Sequence, residues 1–351
     1  MKKKVFTYTE AVNLALHEVM ESNPKSICMG LGINDPKRIF NTTKDLVENF
    51  GEERIIEPPT SENALTGIAF GLTLKGYSVC LIHQRFDFSL LSFDQLINTV
   101  SKWNFMFGNK EEKHSLLIRL IIGRGWGQGP THSQSYHSFL SSLPGVNVLY
   151  PFDPNSAYHT IKYGMTSKMP TLMIEHRWLH NSKSLIFDGL KNLVIKNSKK
   201  KNHSLNFTIF CYGYMIPETL KAHEILKKKS INLDILTTYD LSKINYKEIL
   251  ESIKVTNNLL LIECFTEECS IVNNISSEIL KNQKSKINLN SFGILSLPSE
   301  HESTSFFKTK TRYNTYQEIV NYILLKLDKE ILIKEGSELH DIPGDWFKGP
   351  F

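Results

Sequence analysis

Glu62-Asn-Ala-Leu-Thr-Gly-Ile-Ala-Phe-Gly-Leu-Thr-Leu-Lys75, followed after Gly76 by Tyr77-Ser-Val-Cys-Leu-Ile-His83, decides the fold class. The first half spaces its apolar residues as a helix does, and the second is a short, unbroken β-rich run bounded by glycine. The same succession continues on both sides. β-rich runs at Leu116–Ile122, 146–150 and 171–175 are separated by helical-period stretches at 92–107 and 154–165. Helices alternating with continuous apolar strands predict α/β layers, with helices on both faces of a mostly parallel sheet. At the start, Thr7-x-x-Glu10 is a capping box that opens a helix carrying Ala11, Leu14, Ala15 and Val19 on one face.

Between His180 and Ser204 the composition turns to Asn, Ser and Lys, which predicts a linker. Alternation then resumes with strands at 207–212, 233–236 and 259–263 and helices at 217–228, 246–254, 269–281 and 316–328, a second and smaller α/β domain. The last residues, with Pro343, Gly344, Trp346, Phe347 and Phe351, form a tail that either packs on a neighbouring surface or frays.

A chain of 351 residues, 41% hydrophobic and 22% charged, has the composition of a folded soluble protein, and its length suits two domains. The net charge of +5 is spread along the chain and gives no clustered cationic face for nucleic acid. No apolar run approaches the roughly 20 residues that span a bilayer, and the basic start at Lys2 to Lys4 leads into a polar helix opening, not a signal-peptide core. Five cysteines without a C-x-x-C pair read as buried thiols of a reducing cytoplasm.

Several segments carry candidate chemistry. Glu62 begins a helix, where an acid ordinarily suits the dipole. Gly67 and Gly71 lie four apart inside that helix at a cost of roughly 1 kcal/mol each against alanine, which close approach of another helix, plausibly a subunit contact, would offset. Gly123-Arg-Gly-Trp-Gly-Gln-Gly-Pro-Thr-His132-Ser-Gln134 fits neither phosphate-loop pattern, leaving a polar, His-bearing loop at a strand's C-terminal end, the edge where open α/β sheets bind ligands. His176 and His180 have one-face helical spacing but follow a strand and lack the glutamate of zinc proteases, so a structural role is expected. Cys264 and Cys269 have no matching second pair, and Gly-x-Ser-x-Gly is absent.

The order of the pieces is more specific than any one of them. Pro59-Thr-Ser-Glu62 precedes the Gly67/Gly71 helix. Phe86-Asp-Phe88-Ser with Asp94-Gln-Leu-Ile-Asn98 comes next, then Gly127-x-Gly-Pro-Thr-His132-Ser-Gln134, then Leu143-Pro-Gly-Val-Asn-Val148 and Pro151. This succession resembles the beta subunit of thiamine-diphosphate-dependent 2-oxo acid dehydrogenases, relatives of transketolase. The resemblance implies a pyrimidine-binding domain over 1–180, a linker over 181–204, a transketolase C-terminal domain over 205–330 and a tail over 331–351. It implies that Glu62, with Ser61 beside it, binds the aminopyrimidine and favours the imino tautomer that activates the cofactor. Phe88 falls on the aromatic that stacks on that ring, His132 on the active-site histidine, and Gly67 and Gly71 on a subunit contact.

The superfamily holds the cofactor's diphosphate and its Mg2+ with a separate domain bearing Gly-Asp-Gly and a later Asn; Gly-Asp-Gly does not occur here. The resemblance therefore implies an alpha subunit that carries this half, an α2β2 assembly, a small 2-oxo acid as substrate, and transfer of the acyl unit to a lipoyl-bearing acyltransferase, while the composition read above leads to the expectation of a cytoplasmic protein without membrane or nucleic-acid partners. Alternatives that share these residues are a split transketolase-like carboligase with an aldehyde or sugar acceptor, and a non-catalytic assembly subunit. Arg85 and Asp87 depart from the small polar residue and Asn common in relatives, Thr60 from an aliphatic residue, and Glu263-Cys264-Phe265 from acidic residues followed by glycine. Arg85 and Gln134 are thus candidates for the substrate pocket, Arg85 either favouring a more anionic or hydroxylated substrate than pyruvate or pairing with Asp87 or Asp94.

Overall fold

Thr7 starts the first helix, Tyr8–Ser22, as its side chain predicts: Oγ1 accepts the Glu10 amide at 3.1 Å, and the Glu10 carboxylate accepts the Thr7 amide at 2.7 Å. The computed structural model describes residues 4–108, 114–123, 127–198, 205–268, 270–281, 289–309 and 312–331. Two compact units divide the chain.

The first unit comprises the described residues within Met1–Arg124, Thr131–Lys191 and Asp240–Ser242. Its strands are β1 Val5–Thr7, β2 Ser26–Gly30, β3 Ile55–Ile56, β4 Ser78–His83, β5 Leu116–Ile122, β6 Asn147–Leu149, β7 Thr171–His176 and β8 Lys183–Leu185. Six of them form a parallel sheet in the order β3-β2-β4-β5-β7-β6, while β1 and β8 make a separate antiparallel pair. Every residue of β4, β5 and β7 is buried, which is why these strands read as continuous apolar runs instead of alternating ones. Register sets His83 of β4 beside Leu120 of β5, and Ile122 of β5 beside His176 of β7, so the three strands end near one level.

Two readings of this unit need correction. β2 was not distinguished as a strand, although all five of its residues are buried between β3 and β4. Ser-Ile-Cys-Met-Gly is too short and too mixed to announce itself by period or β-branching. The single helix expected over 92–107 is instead a 3₁₀ turn Leu90–Ser92, a π-helical turn Gln95–Val100 and a short α-helix Trp103–Phe107, the kind of interruption that gathers near functional sites.

The second unit comprises the described residues within Gly125–Pro130, Asn192–Tyr239 and Lys243–Phe351. Its sheet runs β13-β12-β10-β11-β9, with β9 Val194–Lys196, β10 Asn206–Tyr212, β11 Asn232–Thr238, β12 Asn258–Thr266 and β13 Ser291–Leu297. β9 is antiparallel to β11, and the other pairs are parallel. Helices Met215–Lys227, Tyr246–Thr256, Ile271–Lys281 and Tyr316–Lys326 accompany it.

The polar stretch expected as a linker contains β8 and β9, and its Asn197 and Ser198 amides each donate to Asp234 Oδ1 at 2.8 Å. Charged and amide side chains there concealed edge strands, which tolerate polar residues on their open side. Cys28, Cys80, Cys211 and Cys264 are buried free thiols. Cys269, Lys199 to Lys201 and the aromatic tail lie outside the described residues.

Candidate active site

Glu62 is the first residue of the helix Glu62–Leu74, and Ser61 before it is exposed, with extended backbone and no capping side-chain bond. The Glu62 side chain is 7% exposed and makes no hydrogen bond or ion pair with any described residue. Its oxygens are not among the fully buried polar atoms left unpaired, so the carboxylate keeps access to the space beside it. Glu62 lines a cavity of about 30 Å³ with Leu31, Leu65, Leu81, Ile82, His83, Gln84 and Phe88, roughly the liquid volume of a single water. Most of the wall is apolar. Gln84 Nε2 is committed to the Leu31 carbonyl. His83 is 5% exposed, its Nε2 has no hydrogen-bond partner, and burial pushes its pKa down to about 4, so it is a neutral imidazole at neutral pH.

Phe88 sits in the short helix Phe86–Ser89 just beyond β4 and joins this cavity to His132, whose ring meets it edge-on at 5.7 Å and 83°. The fold thus brings Glu62 and Phe88 to one cavity, and Phe88 and His132 into ring contact. Thr131 Oγ1 lies 3.0 Å from His132 Nδ1, which leaves Nε2 for other partners. Gln134 is tied to the same helix: its backbone amide and Nε2 donate to Asp87 Oδ1 at 3.1 and 3.0 Å, and Tyr136 donates to its Oε1. Asp87 Oδ1 accepts from Gln134 and Asp94 Oδ1 from Asn98 at 2.8 Å, and the ion pairs found among the described residues do not include Arg85 with either carboxylate. Arg85 is 4% exposed. Burial first, and the Arg85 charge second, pull the Arg177 guanidinium down to about 9, while Arg177 lies over the Phe40 ring at 3.8 Å.

An acidic acceptor, Glu62, and an aromatic ring, Phe88, thus stand on one wall, the two kinds of group that an aminopyrimidine edge would use, around a space of about 30 Å³. The model for the transketolase pyrimidine-binding domain matches residues 4–182, and that for the transketolase C-terminal domain matches 197–307. The chain belongs to the transketolase pyrimidine-binding family. Relatives of this transketolase-type chain include the beta-2 subunit of the mitochondrial pyruvate dehydrogenase E1 component of Oryza sativa, 28% identical over 74% of this chain and 70% of that one. The beta subunit of 2-oxoisovalerate dehydrogenase from Bacillus subtilis is 28% identical over 78% and 84%. The beta subunit of acetoin:2,6-dichlorophenolindophenol oxidoreductase from Cupriavidus necator is 26% identical over 77% and 82%. Among solved structures, a split-gene transketolase described as an inactive beta4 tetramer superposes with a TM-score of 0.68 over 92% of this chain and 98% of that one, at 18% identity, a likeness of fold.

In the transketolase-type unit, the middle of β5 and the end of β7 are locked by a buried ionic cluster that sequence reading missed. Arg119 Nε and Nη2 both donate to Glu175 at 2.9 Å, Nη2 also reaches Thr42 Oγ1 at 3.0 Å, and His180 Nε2 lies 2.9 Å from Glu175 Oε1. Burial pushes the Glu175 pKa up, but Arg119 and His180 outweigh it and hold the carboxyl at about 2. Tyr8 stacks on His180 at 5.7 Å. His176 instead caps a 3₁₀ turn, accepting the Trp178 amide on Nδ1 at 3.1 Å, so the spacing that suggested paired ligands serves two separate structural bonds. Among the described residues no group of three metal-ligating side chains forms.

The two helix glycines differ. A Cβ at Gly67 would lie 3.3 Å from Gln95 Oε1, a close approach within this chain, whereas one at Gly71 would meet nothing within 4 Å. Ala64 and Ile68, the latter 53% exposed, lie uncovered on the same helix.

Proposed function

We propose that this chain is the beta subunit of a thiamine-diphosphate-dependent 2-oxo acid dehydrogenase and supplies the aminopyrimidine side of the cofactor site. The carrying observation is the Glu62 carboxylate, without a donor among the described residues, on the cavity that Phe88 lines. When bound, thiamine diphosphate supplies the electron sink for decarboxylating a 2-oxo acid. Glu62 accepts a hydrogen bond from the aminopyrimidine, Ser61 flanks it, and Phe88 offers a ring face. His132, with Nδ1 engaged by Thr131, keeps Nε2 to hold or pass a proton. Arg85 and Gln134 shape the substrate side, Gln134 positioned by Asp87.

The diphosphate and Mg2+ fall to an alpha subunit bearing Gly-Asp-Gly, in an α2β2 assembly whose contacts include the Ala64, Ile68 and Gly71 face. The boundaries that follow are a pyrimidine-binding domain over 1–180 and a C-terminal domain over 205–330. Acyl transfer to a lipoyl group and a cytoplasmic site of action belong to the same proposal. Among the described residues no helix is long and apolar enough to cross a membrane, and the rice relative is described as mitochondrial.

The test is co-expression with the alpha partner and assay of 2-oxo acid decarboxylation, with and without a lipoyl acceptor. Loss of the Glu62 carboxylate in Glu62→Gln or Glu62→Ala is expected to lower turnover by about 10²–10⁴-fold. Undiminished turnover overturns the assignment, and product appearing only with an aldehyde acceptor replaces it with a carboligase.

A further inference from the structure

Glu57 comes directly after β3, five residues before Glu62, and its carboxylate reaches across to the loop that follows β2. Oε1 accepts the Gly32 amide at 2.6 Å and Oε2 the Asn34 amide at 3.0 Å. The amides that alternate with these are used inside the loop: Ile33 donates to the Gly30 carbonyl at 3.3 Å and Asp35 to the Gly32 carbonyl at 3.2 Å. Gly32 is buried, so its N–H needs an acceptor, and Glu57 supplies it. The same loop is held from its other side, where Gln84 Nε2 donates to the Leu31 carbonyl. Leu31 and Glu62 line one cavity. Glu57 thus ties the stretch of chain that delivers Glu62 to the loop that supplies another part of the wall.

Between Glu57 and the helix the backbone is stiff and has few ties of its own. Pro58 and Pro59 lack an N–H and fix φ at about −65°, and a residue that precedes proline is held to extended backbone, which restrains Glu57 and Pro58 as well. Ser61 makes no capping bond at the start of the helix. A shift of Glu57 is therefore passed along to Glu62 instead of being absorbed. We propose that Glu57 is a positioning residue for Glu62, its two bonds to the Gly32 and Asn34 amides setting where the Glu62 carboxylate stands relative to Leu31 and Phe88. This rests on the reading of Glu62 as the carboxylate that receives the aminopyrimidine. Glu57 itself is exposed and is not one of the residues lining the cavity, so it acts through the backbone that carries Glu62.

The test has one arm on the full chain without cofactor and one on its complex with the alpha partner. In the first, Glu57→Ala should speed hydrogen exchange at the Gly32 and Asn34 amides by about tenfold or more, and should also speed it across residues 58–66, which the clamp restrains only indirectly. Glu57→Gln, which keeps one acceptor oxygen, should fall between Glu57→Ala and wild type. Thermal melts confirm that the variants fold. In the complex, Glu57→Ala should lower 2-oxo acid turnover by about tenfold or more when Glu62 is present, but should change the residual turnover of Glu62→Gln by less than about twofold, because misplacing a carboxylate that is already gone costs nothing further. Losses of equal size in both backgrounds, or faster exchange at Gly32 and Asn34 with 58–66 as in wild type, overturn the inference and leave the thiamine reading intact. Turnover that ignores Glu62→Gln overturns both.

Discussion

A lone histidine at the end of an apolar strand, Leu81-Ile-His83, reads as a core residue, and nothing in its sequence neighbourhood says otherwise. Its depth, 5% exposed at the end of a strand buried on both sides, is a property of packing. Burial also makes it a pH sensor of stability. The folded pKa of about 4 lies below the ordinary 6.5, so the unfolded chain binds the extra proton between these values. The stability linked to neutral His83 is whole above pH 6.5 and is lost as pH falls towards 4, at most about 3 kcal/mol. Urea unfolding across that range should show the loss in wild type and a flatter limb in His83→Gln. Glu175 acts lower, its contribution present above 4.5 and lost as pH falls through about 2. Replacing Arg119 by Met strands that carboxylate in the core and should cost about 3–5 kcal/mol in chemical unfolding. Neither Arg119 nor Glu175 was distinguishable from an ordinary strand residue, because their pairing depends on β5 lying beside β7. Glu62, Phe88 and His132 stood out only through the order of their motifs.

At the scale of elements, the helix Glu62–Leu74 presents two opposite demands. At Gly67 an added Cβ would crowd the flexible end of Gln95, while Gly71 costs helix stability with nothing among the described residues near enough to repay it. Gly71→Ala should therefore raise the stability of the isolated subunit by up to about 1 kcal/mol, seen as a higher Tm. If the uncovered Ala64, Ile68 and Gly71 face meets another subunit, a bulky Gly71→Leu should weaken assembly in analytical ultracentrifugation, and unaltered assembly removes the face from the interface. Long periodic helices and the buried strands β4, β5 and β7 were legible because their patterns extend over many residues. β2, β9 and the π-helical break at Gln95–Val100 were not, since a five-residue strand, a polar edge strand and a change of helical pitch leave no periodic trace.

For the whole molecule, the two α/β units and the family matches to 4–182 and 197–307 describe a chain with a pyrimidine-binding unit and no Gly-Asp-Gly. The proposed function assigns the diphosphate-binding half of the thiamine site to a second polypeptide, and the relatives it draws on are named as beta subunits. The most direct measurement is calorimetric titration of thiamine diphosphate with Mg2+ into this chain alone, into a Gly-Asp-Gly alpha partner alone, and into the two together. Tight binding only in the mixture, weakened by Glu62→Ala on this chain, is the predicted result. Tight binding by this chain alone, or binding by the mixture that ignores Glu62→Ala, would contradict it.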